Sequence, residues 1–110
     1  MSDQIGLKLT KEMSDSRKGD FAEFYAVTWL WDQGFEVFKN CGCDGMVDLI
    51  AWDKPNNAFT LIDVKTAHYY AKLQRYQIKN IRSKEQIEKN VQLLQFFPHS
   101  RKLRFTEHKK

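Results

Sequence analysis

The chain has 110 residues, of which 42% are hydrophobic and 14% aromatic, and a net charge of +4. This suits one compact domain spanning the whole chain and excludes two independent cores or wholesale disorder. No apolar run is long enough to cross a bilayer, and the first residues lack the apolar core of a secretory signal, so an intracellular, cytoplasmic protein is expected.

Cys41 and Cys43 flank Gly42, a spacing too tight for an unstrained disulfide, which excludes a secreted disulfide scaffold. The dispersed His68, His99 and His108 do not complete a zinc site with them, so free loop thiols are expected. Charge is distributed unevenly. Residues 1–63 hold 6 Lys and Arg against 11 Asp and Glu, whereas residues 64–110 hold 12 against 3. A carboxylate-rich part joined to a cationic part suits a polyanionic, metal-associated partner such as nucleic acid; the ordinary alternative is a solvated basic tail.

Residues 1–16 are polar and weakly patterned, as in a flexible arm. From Gly19 to Gln33 the residues Phe21, Phe24, Tyr25, Val27, Trp29, Leu30 and Trp31 recur at helical spacing, with Gly34 placed as a C-terminal cap. Phe24, Trp29, Trp31 and Phe35 are assigned to core or interface packing. A short strand over 35–39 and a glycine-containing loop over 40–45 follow. Segments 46–52 and 58–66 are rich in strand formers, and the turn formers at 53–57 join them into an antiparallel hairpin. Beyond Ala67 the chain is polar, basic and aromatic until Ser83, which with Gln86 forms a capping box opening a short helix. Segments 91–97 and 102–107 make a second hairpin around Pro98-His99-Ser100-Arg101.

Strand periodicity puts Asp63 and Lys65 on one face of their strand and Asp48 inside an otherwise apolar run on its neighbour. Glu23 shares a helix face with Val27 and Leu30 and so looks inward. Carboxylates gathered within about 5 Å repel by roughly 3 kcal/mol per pair at an effective dielectric near 20. Either a cation and Lys65 neutralise such a cluster, or one acid takes a proton. Oxygen ligands select Mg²⁺, with Mn²⁺ as a substitute, and these ions promote hydrolysis of phosphodiesters. In this reading Asp48 and Asp63 hold the ion, Lys65 orients the attacking water or stabilises transition-state charge, and Glu23 completes the coordination or positions a second water. Each residue also has an ordinary reading: a same-face ion pair for Asp63 and Lys65, a strand-end cap for Asp48, and a helix-dipole acid for Glu23. Their joint order favours catalysis.

Asp48 followed by Asp63-Val64-Lys65 resembles the motif of the PD-(D/E)XK nuclease superfamily. Four blocks resemble its Holliday junction resolvase-like and group I intron homing endonuclease branch: Lys18-Gly19-Asp20-Phe21-Ala22-Glu23, Gly34-Phe35-Glu36-Val37, Val47-Asp48-Leu49-Ile50-Ala51 and Ile62-Asp63-Val64-Lys65-Thr66-Ala67. Val47 stands where the motif's proline would be, and Asp63 where this branch often has Glu or Gln. The resemblance implies an α/β (α+β), restriction endonuclease-like core, a mixed β-sheet flanked by helices. It also implies a Mg²⁺-dependent DNA endonuclease, with Glu23, Asp48, Asp63 and Lys65 catalytic and Asp48, Asp63, Glu23 and Val64 at the metal. Cutting two strands with one small domain leads to the expectation of a homodimer.

Downstream, cations interleave with aromatics, as in a phosphate-gripping and base-stacking segment or, equally, a solvated basic loop. The residues expected to meet DNA are Arg17 and Lys18 at the first helix, then Thr66, Lys72, Arg75, Lys79 and Arg82. A non-catalytic DNA-binding module on the same fold is the competing reading, and an RNA-directed nuclease a third.

Overall fold

The computed structural model describes residues 13–42, 45–70, 74–77 and 81–106, with backbone alone at 69–70 and 75–77. Helix α1 spans Asp15–Asp32. It begins four residues before Gly19, because Ser14 caps it by accepting a hydrogen bond from the Arg17 amide at 3.2 Å. The segment 15–18 has no apolar periodicity to betray it, and Gly19 lies inside the helix with open space around it. Asp15 and Ser16 therefore belong to the helix and not to an arm, and Arg17 and Lys18 sit in its first turn.

The other end is as expected. Gly34 adopts φ +93°, its amide bonds the Trp31 carbonyl and the Phe35 amide bonds that of Leu30, closing a Schellman turn.

The main sheet contains β1 (Glu36–Lys39), β2 (Leu49–Asp53), β3 (Ala58–Thr66), β6 (Gln92–Phe97) and β7 (Lys102–Phe105), in the order β1-β2-β3-β6-β7. β3 and β6 run parallel and the other neighbours antiparallel, so the fold is α+β with a mixed sheet. Parallel pairing requires a crossover, which carries β4 (His68–Tyr70), β5 (Arg75–Gln77) and helix α2 (Lys84–Glu88). The polar, basic stretch after Ala67 is thus partly a two-stranded ribbon, with Tyr69 opposite Tyr76. Its short strands lack the apolar alternation that marks a half-buried sheet.

One face of the main sheet packs on α1. Ala22, Ala26 and Leu30, spaced four apart, meet Leu49, Ala51, Ile62, Leu94, Phe96 and Leu103. The two alanines let the helix approach closely, while Phe21 and Tyr25 close the core with ring contacts to Phe96. Trp29 contacts Phe105 and Phe35 packs on the core. Phe24 and Trp31 do not; they are 61% and 59% exposed, on the outer side of α1. Among the described residues no helix is long and apolar enough to cross a membrane, and Cys41 is an exposed free thiol; Cys43 lies outside those residues.

Candidate active site

β2 and β3 are paired from Leu49↔Ile62 to Asp53↔Ala58. Past that register Asp48 still bonds the Ile62 carbonyl through its amide, at 2.7 Å, and its carboxylate reaches across to accept the Val64 amide at 2.7 Å. A side chain thereby replaces a strand as partner for β3 where the ladder ends, and this fixes Asp48 beside Asp63. The pleat places Asp63 and Lys65 on the same side, with Lys65 Nζ 3.3 Å from Asp63 Oδ2.

Glu23, Asp48, Asp63 and Lys65 line a single cleft of about 650 Å³, together with Met46, Val64, Arg82, Ser83 and Gln86. Residues from α1, the segment before β2, β3 and the approach to α2 thus converge. Among the described residues, however, no three carboxylate, imidazole or thiolate groups form a ready chelate. Glu23 instead pairs with Lys39 of β1, Oε1 to Nζ 3.0 Å. That hydrogen bond raises the Lys39 pKa, against burial, and the charges of Glu23, Asp20 and Asp48 add to the rise.

Asp48 is the perturbed acid. Burial pushes its pKa up to about 7, the Val64 amide opposes the rise, and a hydrogen bond with Asp63 and the charges of Glu23 and Asp63 increase it. Near neutrality Asp48 therefore takes up a proton far more readily than a free aspartate does.

The buried Gln86 was legible only as half of a capping box. That box is present: Ser83 Oγ accepts the Gln86 amide and Gln86 Oε1 accepts the Ser83 amide, at 3.1 and 3.0 Å. The same side chain also donates through Nε2 to Asp63 Oδ2 at 2.8 Å and to the Met46 carbonyl at 2.9 Å. It ties α2, the loop before Asp48 and the Asp63 carboxylate to one another. Gln86→Ala is expected to lower stability by about 2–3 kcal/mol, from the lost cap and the stranded buried groups, read as a lower urea midpoint at unchanged slope.

Of the residues expected to meet DNA, Arg82 lines the cleft and donates from Nη1 to the Val91 carbonyl at 3.2 Å. Thr66 is half-buried on β3, and on α1 Arg17 is exposed and Lys18 half-buried. Lys72, Lys79 and the Arg75 side chain lie outside the described residues.

The fold is similar to that of a bacterial homing endonuclease, I-Ssp6803I, with a TM-score of 0.70 over 86% of this chain and 69% of that one. Sequence identity is 16%, so the likeness is one of fold. No protein-family model and no curated protein matches the chain.

Proposed function

We propose that this chain is a divalent-metal-dependent endonuclease that hydrolyses DNA phosphodiester bonds in the cleft of Glu23, Asp48, Asp63 and Lys65. The observation that carries this reading is the convergence of Glu23, Asp48, Asp63 and Lys65 on one cleft, with Lys65 Nζ 3.3 Å from Asp63 Oδ2. This donor set fits a hard dication, whose charge would offset the repulsion between the carboxylates. Asp48 and Asp63 would hold it, with the main chain of Val64 beside them and Glu23 at the margin. When bound, Mg²⁺ or Mn²⁺ supplies Lewis acidity and offsets phosphate charge.

The chain's own groups do the rest. Lys65 Nζ donates to the attacking water or to a non-bridging phosphate oxygen, stabilising the charge added in the transition state. Gln86 holds Asp63 from behind, and Lys39 neutralises Glu23 so that a phosphate meets less repulsion at the cleft's edge. Arg82 and the cations of the crossover supply phosphate contacts.

The ion pairs Lys65–Asp63 and Lys39–Glu23 also suit a second reading, a DNA-binding module that uses no metal. The deciding experiment incubates supercoiled plasmid, linear duplex, a four-way junction and single-stranded RNA with the protein in Mg²⁺, Mn²⁺ or EDTA. Cleavage of DNA in both metals and none in EDTA is the expected result. Binding without cutting on every substrate would establish the module, RNA cut in preference to DNA would establish the third reading, and strong preference for the junction would identify a resolvase-like substrate.

A further inference from the structure

We propose that Arg104 of β7 is a phosphate-binding residue that extends the DNA track of the cleft across the main sheet, two strands beyond Lys65. The proposal rests on the reading of the cleft as a DNA site. Its geometry comes from the strand register. Lys65 of β3 pairs with Gln95 of β6, and Gln95 pairs with Arg104. Paired residues share a face, so these three side chains form one cross-strand row on the face that carries Asp63. Lys102, opposite Phe97, follows Arg104 on that face. Two strand spacings put Arg104 roughly 10 Å from Lys65 at the backbone. Phosphates of one DNA strand can occupy both ends of such a row, whereas one free anion cannot.

The buried Gln95 shows that the arginine is held. It is 3% exposed, beside Leu93, Leu94 and Phe96 in the same strand, where an amide is costly unless it is bonded. Its Oε1 accepts a hydrogen bond from Arg104 Nε at 2.9 Å. Phe97 supports the same guanidinium, its ring centroid lying 5.2 Å from Cζ. Arg104 is exposed and yet fixed at two points.

Holding the group through Nε leaves both Nη groups, the edge that forks onto a phosphate. Among the described residues no carboxylate pairs with Arg104. Its charge is thus available to an anion, whereas Lys65 is already engaged by Asp63. Arg101 does not join the row, because it lies over Phe21 at 4.6 Å and Tyr25 at 5.9 Å beside α1.

Equilibrium binding of a short DNA duplex in EDTA, over about 0.05–0.5 M salt, tests the proposal without requiring cleavage. Arg104→Met keeps an apolar stem on Phe97 and removes the charge. It should raise the dissociation constant ~5–10-fold at about 0.1 M salt and flatten the log–log salt dependence by about 0.9, with circular dichroism unchanged. Arg104→Lys should restore the slope but only part of the affinity, because it loses the fork and the bond to Gln95. Gln95→Leu frees the arginine without removing it, and should weaken binding ~2–4-fold at unchanged slope. Lys54→Ala, in the turn between β2 and β3, should change neither quantity. A parental slope for Arg104→Met would overturn the proposal, as would an equal flattening by Lys54→Ala or the absence of any DNA binding. Failure to cut every substrate while the Arg104 effects hold would refute the endonuclease and leave this phosphate site standing.

Discussion

Lys65→Ala and Asp63→Asn should each slow DNA cleavage by about 10³-fold, while duplex affinity stays within threefold of the parent protein. The rate loss follows from where the charges sit. Lys65 is the ammonium beside Asp63 in the cleft, and a preorganised donor aimed at developing phosphate charge contributes ~3–4 kcal/mol in a partly dehydrated site. Affinity is governed by a different set of groups. In the proposed complex phosphate contacts would spread over the basic second half of the chain, so deleting one cation would cost little, and Asp63→Asn would remove an acid that repels DNA.

Neither substitution should unfold the protein. The Lys65 side chain is 35% exposed, and an ion pair at that exposure contributes ~0–1 kcal/mol. Asn at position 63 can still accept from Gln86 Nε2 through its Oδ1. Single-turnover cleavage and equilibrium DNA binding, measured side by side, check both halves of the expectation. Lys65→Ala cleaving within threefold of the parent would remove lysine from the mechanism.

The features that the sequence displays correctly are those written in local signals. β3 occupies residues 58–66 as the run of strand formers predicts, because the turn formers at 53–57 terminate β2 and start β3 within one short window. Once that hairpin exists, a period of two places Asp63 and Lys65 together, and an acid interrupting an apolar run singles out Asp48. Ser83 and Gln86 announce α2 for the same reason, since both partners of the capping box lie within one turn.

What was not legible depends on the third dimension. Lys39 meets Glu23 across 16 positions, and Gln86 reaches Asp63 across 23, so neither contact leaves a periodic trace. Phe24 and Trp31 share the apolar spacing of the helix, yet among the described residues α1 packs on the main sheet along one side, and the alanines at 22 and 26 take the inward positions. Small side chains allow closer packing than aromatic ones, a preference invisible to a hydrophobic count. The ribbon β4–β5 shows in pairing alone, since its polar residues give no alternation.

Asp48→Asn should raise the melting temperature at pH 8 in EDTA by about 4 °C or more, and should abolish cleavage as well. The sign comes from proton linkage. In the folded chain Asp48 titrates near 7, against an ordinary value of 3.8, so between those limits the native state binds more protons than the unfolded one and stability falls as pH rises. Below about pH 4 the carboxyl is protonated in both states and costs nothing; above about pH 7 the penalty is complete. An interval of about three units at 1.36 kcal/mol each sets an upper limit near 4 kcal/mol, and partial solvent access reduces it to ~1–2 kcal/mol. For a chain of this size 1 kcal/mol moves the melting temperature by roughly 4–8 °C.

Asparagine keeps the useful contacts. Its Oδ1 accepts the Val64 amide as the carboxylate does, and its Nδ2 can donate to Asp63 in place of the protonated Asp48 carboxyl. The gain should therefore shrink steadily as the pH is lowered from 7 and vanish near pH 4, where the carboxyl is protonated in the folded and the unfolded chain alike. Equal melting temperatures at pH 8 would show that Asp48 is not strained in the folded chain. A pH-dependent gain coupled to lost cleavage would instead show that burying two acids beside one another opposes folding and is retained for chemistry.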